Sequence, residues 1–193
     1  MVTILKDIVD EYEVSDEKTR VALVDYNGPA TTRALFSDGY NRAIFKRIAS
    51  SLPGPGGRPG TLSEAFSKVR DEVFTLQNGA RPFAEDILVV MTQGNFDENS
   101  AEIKSEVAKL RSNAVKVIVF AFTDEPGIEK WNNVSSGNDL IVITKPGKDK
   151  KEAKKLPYTA SKGASIYAYK NALKLSLLQT RLLFAYVWFL IER

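Results

Sequence analysis

Apolar positions along this chain recur at two spacings, and each spacing predicts a different element. Ile4, Leu5, Ile8 and Val9 fall at helical intervals, so residues 2–12 are expected to form an amphipathic helix. Thr19-Arg-Val-Ala-Leu-Val-Asp25 is a short β-branched and apolar run, punctuated by the turn pair Asn27-Gly28, and Thr31 to Phe36 reads as an edge strand. Helical spacing returns from Tyr40 to Leu52, with positions 40, 43, 44, 48 and 52 on one face. Pro53-Gly-Pro-Gly-Gly-Arg-Pro-Gly60 must be a loop, since its prolines lack donors and its glycines lack conformational restraint. Immediately after it, Thr61-Leu-Ser-Glu64 has the form of a reciprocal capping box. The helix it opens carries Leu62, Ala65, Phe66, Val69 and Val73 as its buried stripe.

Further along, Asp86 to Thr92 and Val115 to Phe122 are continuous apolar runs separated by a charged helix, Glu102 to Ser112, with Ile103, Val107 and Leu110 inward. A short helix over Ile128 to Val134 and a strand over Leu140 to Thr144 follow. Strands that are apolar on both faces and alternate with helices belong to a parallel sheet covered on both sides. The expected fold is therefore a doubly wound, mostly parallel α/β domain over residues 1–146. A basic linker or helix at 147–171 and an apolar segment at 172–193 complete the chain.

Composition narrows the chemistry. With 193 residues and 44% hydrophobic content the chain can build one well-buried core. It has neither cysteine nor histidine, which removes disulfides, thiolate sites, the commonest metal ligand and the commonest general base. Residues 1–144 carry 16 Lys+Arg against 21 Asp+Glu, a net of −5, and residues 145–193 carry 11 against 3, a net of +8. No stacking aromatics interleave the lysines of 145–155, so this stretch reads as a solvated helix face and no nucleic-acid partner is expected. The opening Met1-Val-Thr-Ile-Leu-Lys6 leads straight into acidic residues and not into a secretory signal. That implies either an intracellular protein or a missing start.

Ligands of open α/β sheets gather beyond the carboxyl ends of the strands. The run Ile87-Leu-Val-Val-Met-Thr-Gln-Gly-Asn95 places an amide, Gln93, at such an end. The glycine-rich loop invites a phosphate reading, but both nucleotide fingerprints fail at Pro59. A nucleotide-binding enzyme is retained only as an alternative, with no catalytic or cofactor-binding residue to name.

The order helix, Arg-Val-Ala-Leu-Val strand, edge strand, helix, Gly56-Gly-Arg-Pro59 loop, helix, Ile-Leu-Val-Val-Met-Thr-x-Gly, helix, Val-Lys-Val-Ile-Val-Phe-Ala-Phe resembles the von Willebrand factor A domain. The Gly-Gly-Arg-Pro loop and Thr92-Gln-Gly-Asn-Phe-Asp97 are most similar to the A domains of type VI collagen and related matrix proteins. The resemblance implies a metal-ion-dependent adhesion site built from Asp-x-Ser-x-Ser after the first strand, a Thr in the second loop and an Asp in the third. Here the Asp-x-Ser-x-Ser segment is absent with its strand, Thr61 lies only near the second position, and Gln93 stands at the third. An amide brings one carbonyl oxygen and no charge, so no metal or other cofactor is expected, and Mg²⁺ is not expected to be held at Thr61, Thr92 and Gln93. Thr61 reads as a helix cap, Thr92 and Gln93 as partners of loop backbone, and Asp97 as a cap or solvated residue at the next helix start. Asn133-Val-Ser135 fits a glycosylation sequon, relevant only in a secreted protein.

The resemblance also locates a gap. The family's first strand lies between those corresponding here to 20–25 and 86–92, and leaving it out would expose two rows of unpaired backbone groups. Leu182-Leu-Phe-Ala-Tyr-Val-Trp-Phe-Leu-Ile191 could fill the slot as a permuted strand, its Phe189-Leu-Ile-Glu192 being similar to the family's opening Phe-Leu-Ile-Asp, or begin a second A domain. The same segment could instead form an amphipathic helix on a partner or membrane surface, span a bilayer over 172–191, or be a gene-model artefact.

The expected function is a non-catalytic protein-protein interaction module for cell adhesion or matrix assembly, secreted or extracellular if a start is missing. It would meet a matrix or cell-surface protein through Gly56, Gly57, Arg58, Thr61, Gln93, Asn95 and Asp97, independently of metal. A membrane-tethered protein using 172–191 is the alternative.

Overall fold

A computed structural model of the chain describes residues 1–10, 12–38, 41–53, 61–93, 100–123, 129–137, 141–144 and 180–186. Among the described residues six strands form one sheet: β1 (Arg20–Asp25), β2 (Thr31–Ala34), β3 (Glu85–Thr92), β4 (Lys116–Phe122), β5 (Ile141–Thr144) and β6 (Thr180–Tyr186). Their order is β2-β1-β6-β3-β4-β5. Only β2, on the edge, runs antiparallel to its neighbour; β6 is parallel to both β1 and β3.

The slot inferred from the sequence is thus real, and it is filled by the chain's own β6. Ala22, Leu183 and Leu88 share one register row, and Val24, Ala185 and Val90 another. Of the readings open for the apolar segment, the inserted strand is the one observed, over Thr180–Tyr186 and so starting earlier than Leu182. A helix or spanning anchor through these residues is overturned, because their backbone is in the ladder between two strands. Among the described residues no helix is long and apolar enough to cross a membrane. Phe189–Glu192, which carried the likeness to the family's opening strand, lies outside the described residues.

Alternation along the strands divides the core into two layers. Ala22, Val24, Leu88, Val90, Val117, Val119 and Ala121 meet α3 (Leu62–Lys68), α4 (Ala101–Ser112) and Trp131 of α5 (Glu129–Asn132). Val21, Leu23, Ile87, Val89, Met91, Ile118 and Phe120 meet α1 (Val2–Asp10) and α2 (Arg42–Ser50). Each fully buried aliphatic or aromatic side chain contributes about 1.5–3 kcal/mol.

Helix stripes follow the expected spacing except in α2. There Phe45 and Ala49 are buried while Ile44 is 39% exposed. The periodic set at 43, 44, 48 and 52 passed over Phe45, whose larger apolar area turns the helix toward the sheet. The run through Val73 is helical as expected, but its last part, Val69–Val73, widens into a π turn, closed by the Phe74 N–H donating to Val69 O at 2.9 Å.

Candidate functional site

The parallel strands β1, β6 and β3 end on one rim. Asp25, Tyr186 and Met91 lie side by side in register at the ends of β1, β6 and β3, and Thr92 is the last residue of β3. The helices that follow begin on this rim, α3 at Thr61 and α4 at Ser100.

Thr61 caps α3 as expected, its hydroxyl accepting the Glu64 N–H at 3.2 Å. The Glu64 carboxylate, however, accepts the Ala30 N–H at 3.1 Å. The box therefore ties α3 to the β1–β2 turn, where closing on itself was expected. At α4 the capping side chain is Ser100, which accepts the Ile103 N–H, and Asp97 lies outside the described residues. Thr92, at the end of β3, is 1% exposed and its side chain hydrogen-bonds the buried Tyr26. Burial holds the Tyr26 phenol above the usual tyrosine range, with the Thr92 bond acting the other way.

Gln93 is half-buried at the end of β3. Gly56, Gly57, Arg58, Asn95 and Asp97 lie outside the described residues, so of the expected set the structure describes Thr61, Thr92 and Gln93. Asn133 is half-buried, and its sequon partner Ser135 is buried, with its hydroxyl donating to Gly137 O at 3.0 Å.

A hard divalent cation takes several carboxylate oxygens. On this rim the hydroxyls of Thr61 and Thr92 are engaged, position 93 is an amide, and the buried Asp25 carboxylate accepts from Arg33 Nη2 at 2.8 Å and the Asn27 N–H at 3.1 Å. After Tyr186 the chain continues Val187-Trp188-Phe189, where a metal loop would require Asp and Ser. Among the described residues this donor set does not fit the ion.

Sequence reasoning did not single out the cleft between α3 and α4. Its volume is about 490 Å³, and Thr61, Ser63, Glu64, Ser67, Glu102 and Ser105 line it beside Glu106. Glu106 is 8% exposed. It accepts from Arg70, and from Lys109 at 2.6 Å, locking α4 to the π turn. Glu64 and Glu102, by contrast, are exposed. The cleft therefore offers hydroxyls and acceptors to a donor-rich surface. The i, i+4 pairs Ser63/Ser67 and Glu102/Glu106 were its only trace in the sequence.

The profile of the von Willebrand factor type A domain matches residues 1–166. The chain belongs to that family. Human von Willebrand factor A domain-containing protein 2 is 34% identical over 109 residues, covering 56% of this chain and 14% of that protein. The mouse protein of the same name is 32% identical over 110 residues, covering 57% and 13%. The chain thus spans about a seventh of the length of these relatives. Among solved structures, proximal thread matrix protein 1 from the mussel byssus superposes with a TM-score of 0.67 at 17% identity, over 75% of this chain and 37% of that one. Manganese-loaded TRAP protein of Plasmodium vivax gives 0.61 at 12% identity, over 75% and 59%. At such identities the likeness concerns the fold. Domains of this family commonly bind other proteins and are generally non-enzymatic.

Proposed function

We propose that this A domain is a protein-binding module of cell adhesion or extracellular-matrix assembly, working outside the cell, without catalysis and without a divalent cation. The observation that carries metal independence is the fate of the rim donors: Thr92 is bound to Tyr26, Thr61 to its own helix, and an amide stands at position 93. The gripping surface is the rim together with the α3–α4 cleft that Thr61, Glu64 and Glu102 line. Exposed Glu64 and Glu102 make a Lys- or Arg-bearing face the natural complement. The matrix assignment draws on the similarity of the Gly56–Pro59 and Thr92–Asp97 stretches to matrix-protein A domains.

Two measurements test this. Thermal melts in 1 mM Mg²⁺, Mn²⁺ or EDTA should coincide, because an ion at a hundredfold excess over its Kd would add about 2.7 kcal/mol and raise Tm by several degrees. Surface plasmon resonance against purified collagens and matrix glycoproteins should find a partner whose affinity is unchanged by EDTA and falls at least tenfold in Glu64→Lys/Glu102→Lys. Loss of binding in EDTA would overturn the metal-free reading, and binding indifferent to the charge reversal would remove the cleft from the interface.

A further inference from the structure

The central strand of this sheet is supplied from a distant part of the chain. Between Thr144 at the end of β5 and Thr180 at the start of β6 lie residues 145–179, which fully extended would reach roughly 120 Å. That reach covers the slot of a neighbouring molecule as readily as the chain's own. We propose that β6 also seats in the slot of a second copy, so that two chains exchange strands and complete each other's sheets.

Three observations support the exchange. First, β6 is held by backbone ladders to Arg20–Asp25 on one side and Glu85–Met91 on the other. Those bonds are the same whichever molecule the strand comes from, and exchange of an identical element is a low-cost route to a dimer. Second, among the described residues the other five strands and the five α-helices precede β6 in the chain. Synthesis therefore makes the acceptor, with both slot edges unpaired, before it makes the donor, and unpaired edges recruit strands. Third, the acceptor body, residues 1–144, carries a net −5, and the arm bearing the donor, residues 145–193, a net +8. Opposite charges on donor and acceptor steer one chain's arm to another's body. Reciprocal exchange leaves both slots filled and closes the assembly.

The chain lacks cysteine, so introduced thiols report without background. Val24 and Ala185 are in register on β1 and β6, a separation within disulfide reach. Full-length Val24→Cys and Ala185→Cys chains are refolded together at high concentration and oxidised. A covalent V24C–A185C dimer, absent when either variant is oxidised alone, is the expected result. In parallel, light scattering on the unsubstituted chain should give a species of twice its 21.4 kDa mass, growing with concentration during refolding. The proposal is overturned if the mixture yields no dimer while the doubly substituted chain closes an internal disulfide, or if the unsubstituted chain is monomeric at every concentration.

Discussion

Replacing Thr92 by Val keeps its volume and strands the buried Tyr26 hydroxyl with one hydrogen-bond partner fewer. The expected loss is about 1–3 kcal/mol in denaturant unfolding, and T92V/Y26F should recover much of it, because removing both partners leaves nothing unsatisfied. The same burial makes a pH prediction. The folded chain holds the Tyr26 proton above the usual range, whereas the unfolded chain releases it near pH 10. Stability is therefore intact below about pH 10 and falls by about 1.4 kcal/mol per pH unit above it. Y26F should flatten that slope in urea titrations from pH 9 to 11. Glu106→Gln tests a second buried group: with Arg70 and Lys109 left facing an amide, about 1–2 kcal/mol should be lost in denaturant unfolding. Neither pairing was legible in the sequence. Thr92 could be placed at a strand end from the apolar run before it, but its partner is 66 positions away across the sheet, a distance no local pattern spans. Thr61 was legible as a cap because capping is local, and the reach of Glu64 to Ala30 was missed because it is not.

Elements were easiest to read where burial is two-sided. β3 and β4 are buried along almost their whole length, so their apolar runs named them without knowledge of their neighbours. The sheet's other features depend on fit. Gly79 closes a short 3₁₀ turn with φ +87°, and a Cβ there would lie 2.7 Å from Ser37 N. Gly79→Ala should therefore cost more than the ~1 kcal/mol of an ordinary glycine substitution, with a Tm drop of several degrees in calorimetry. The segment 180–186 shows why pattern alone was insufficient. Ten apolar residues from Leu182 to Ile191 fit a helix, an anchor or a strand equally well, and the deciding fact is a vacancy between β1 and β3 that lies elsewhere in the chain. Because β6 is paired on both sides, Leu183→Pro removes a ladder donor at the sheet's centre, and a loss of about 2 kcal/mol or more is expected. Leu183→Val should stay within about 1.5 kcal/mol.

For the whole molecule, β6 decides whether there is one sheet or two. Strands β2-β1 and β3-β4-β5 touch through β6 alone in the sheet order, and the α1/α2 layer and the α3/α4 layer each draw their core residues from both sides of that join. A chain ending at Thr144 would keep every helix and five strands of the described residues, yet it would have to leave the edges of β1 and β3 open to water or collapse them onto each other out of register. Either outcome removes the packing that fixes the two layers, and the net stability of a domain, about 5–15 kcal/mol, is small beside the backbone bonds and buried area forfeited. The truncated chain should keep helical far-ultraviolet dichroism, lose its cooperative thermal transition and bind a hydrophobic dye, as expanded compact states do. A sharp, reversible melt for residues 1–144 would show that the join is bridged without β6, and would remove the strand from any role in holding the binding rim together.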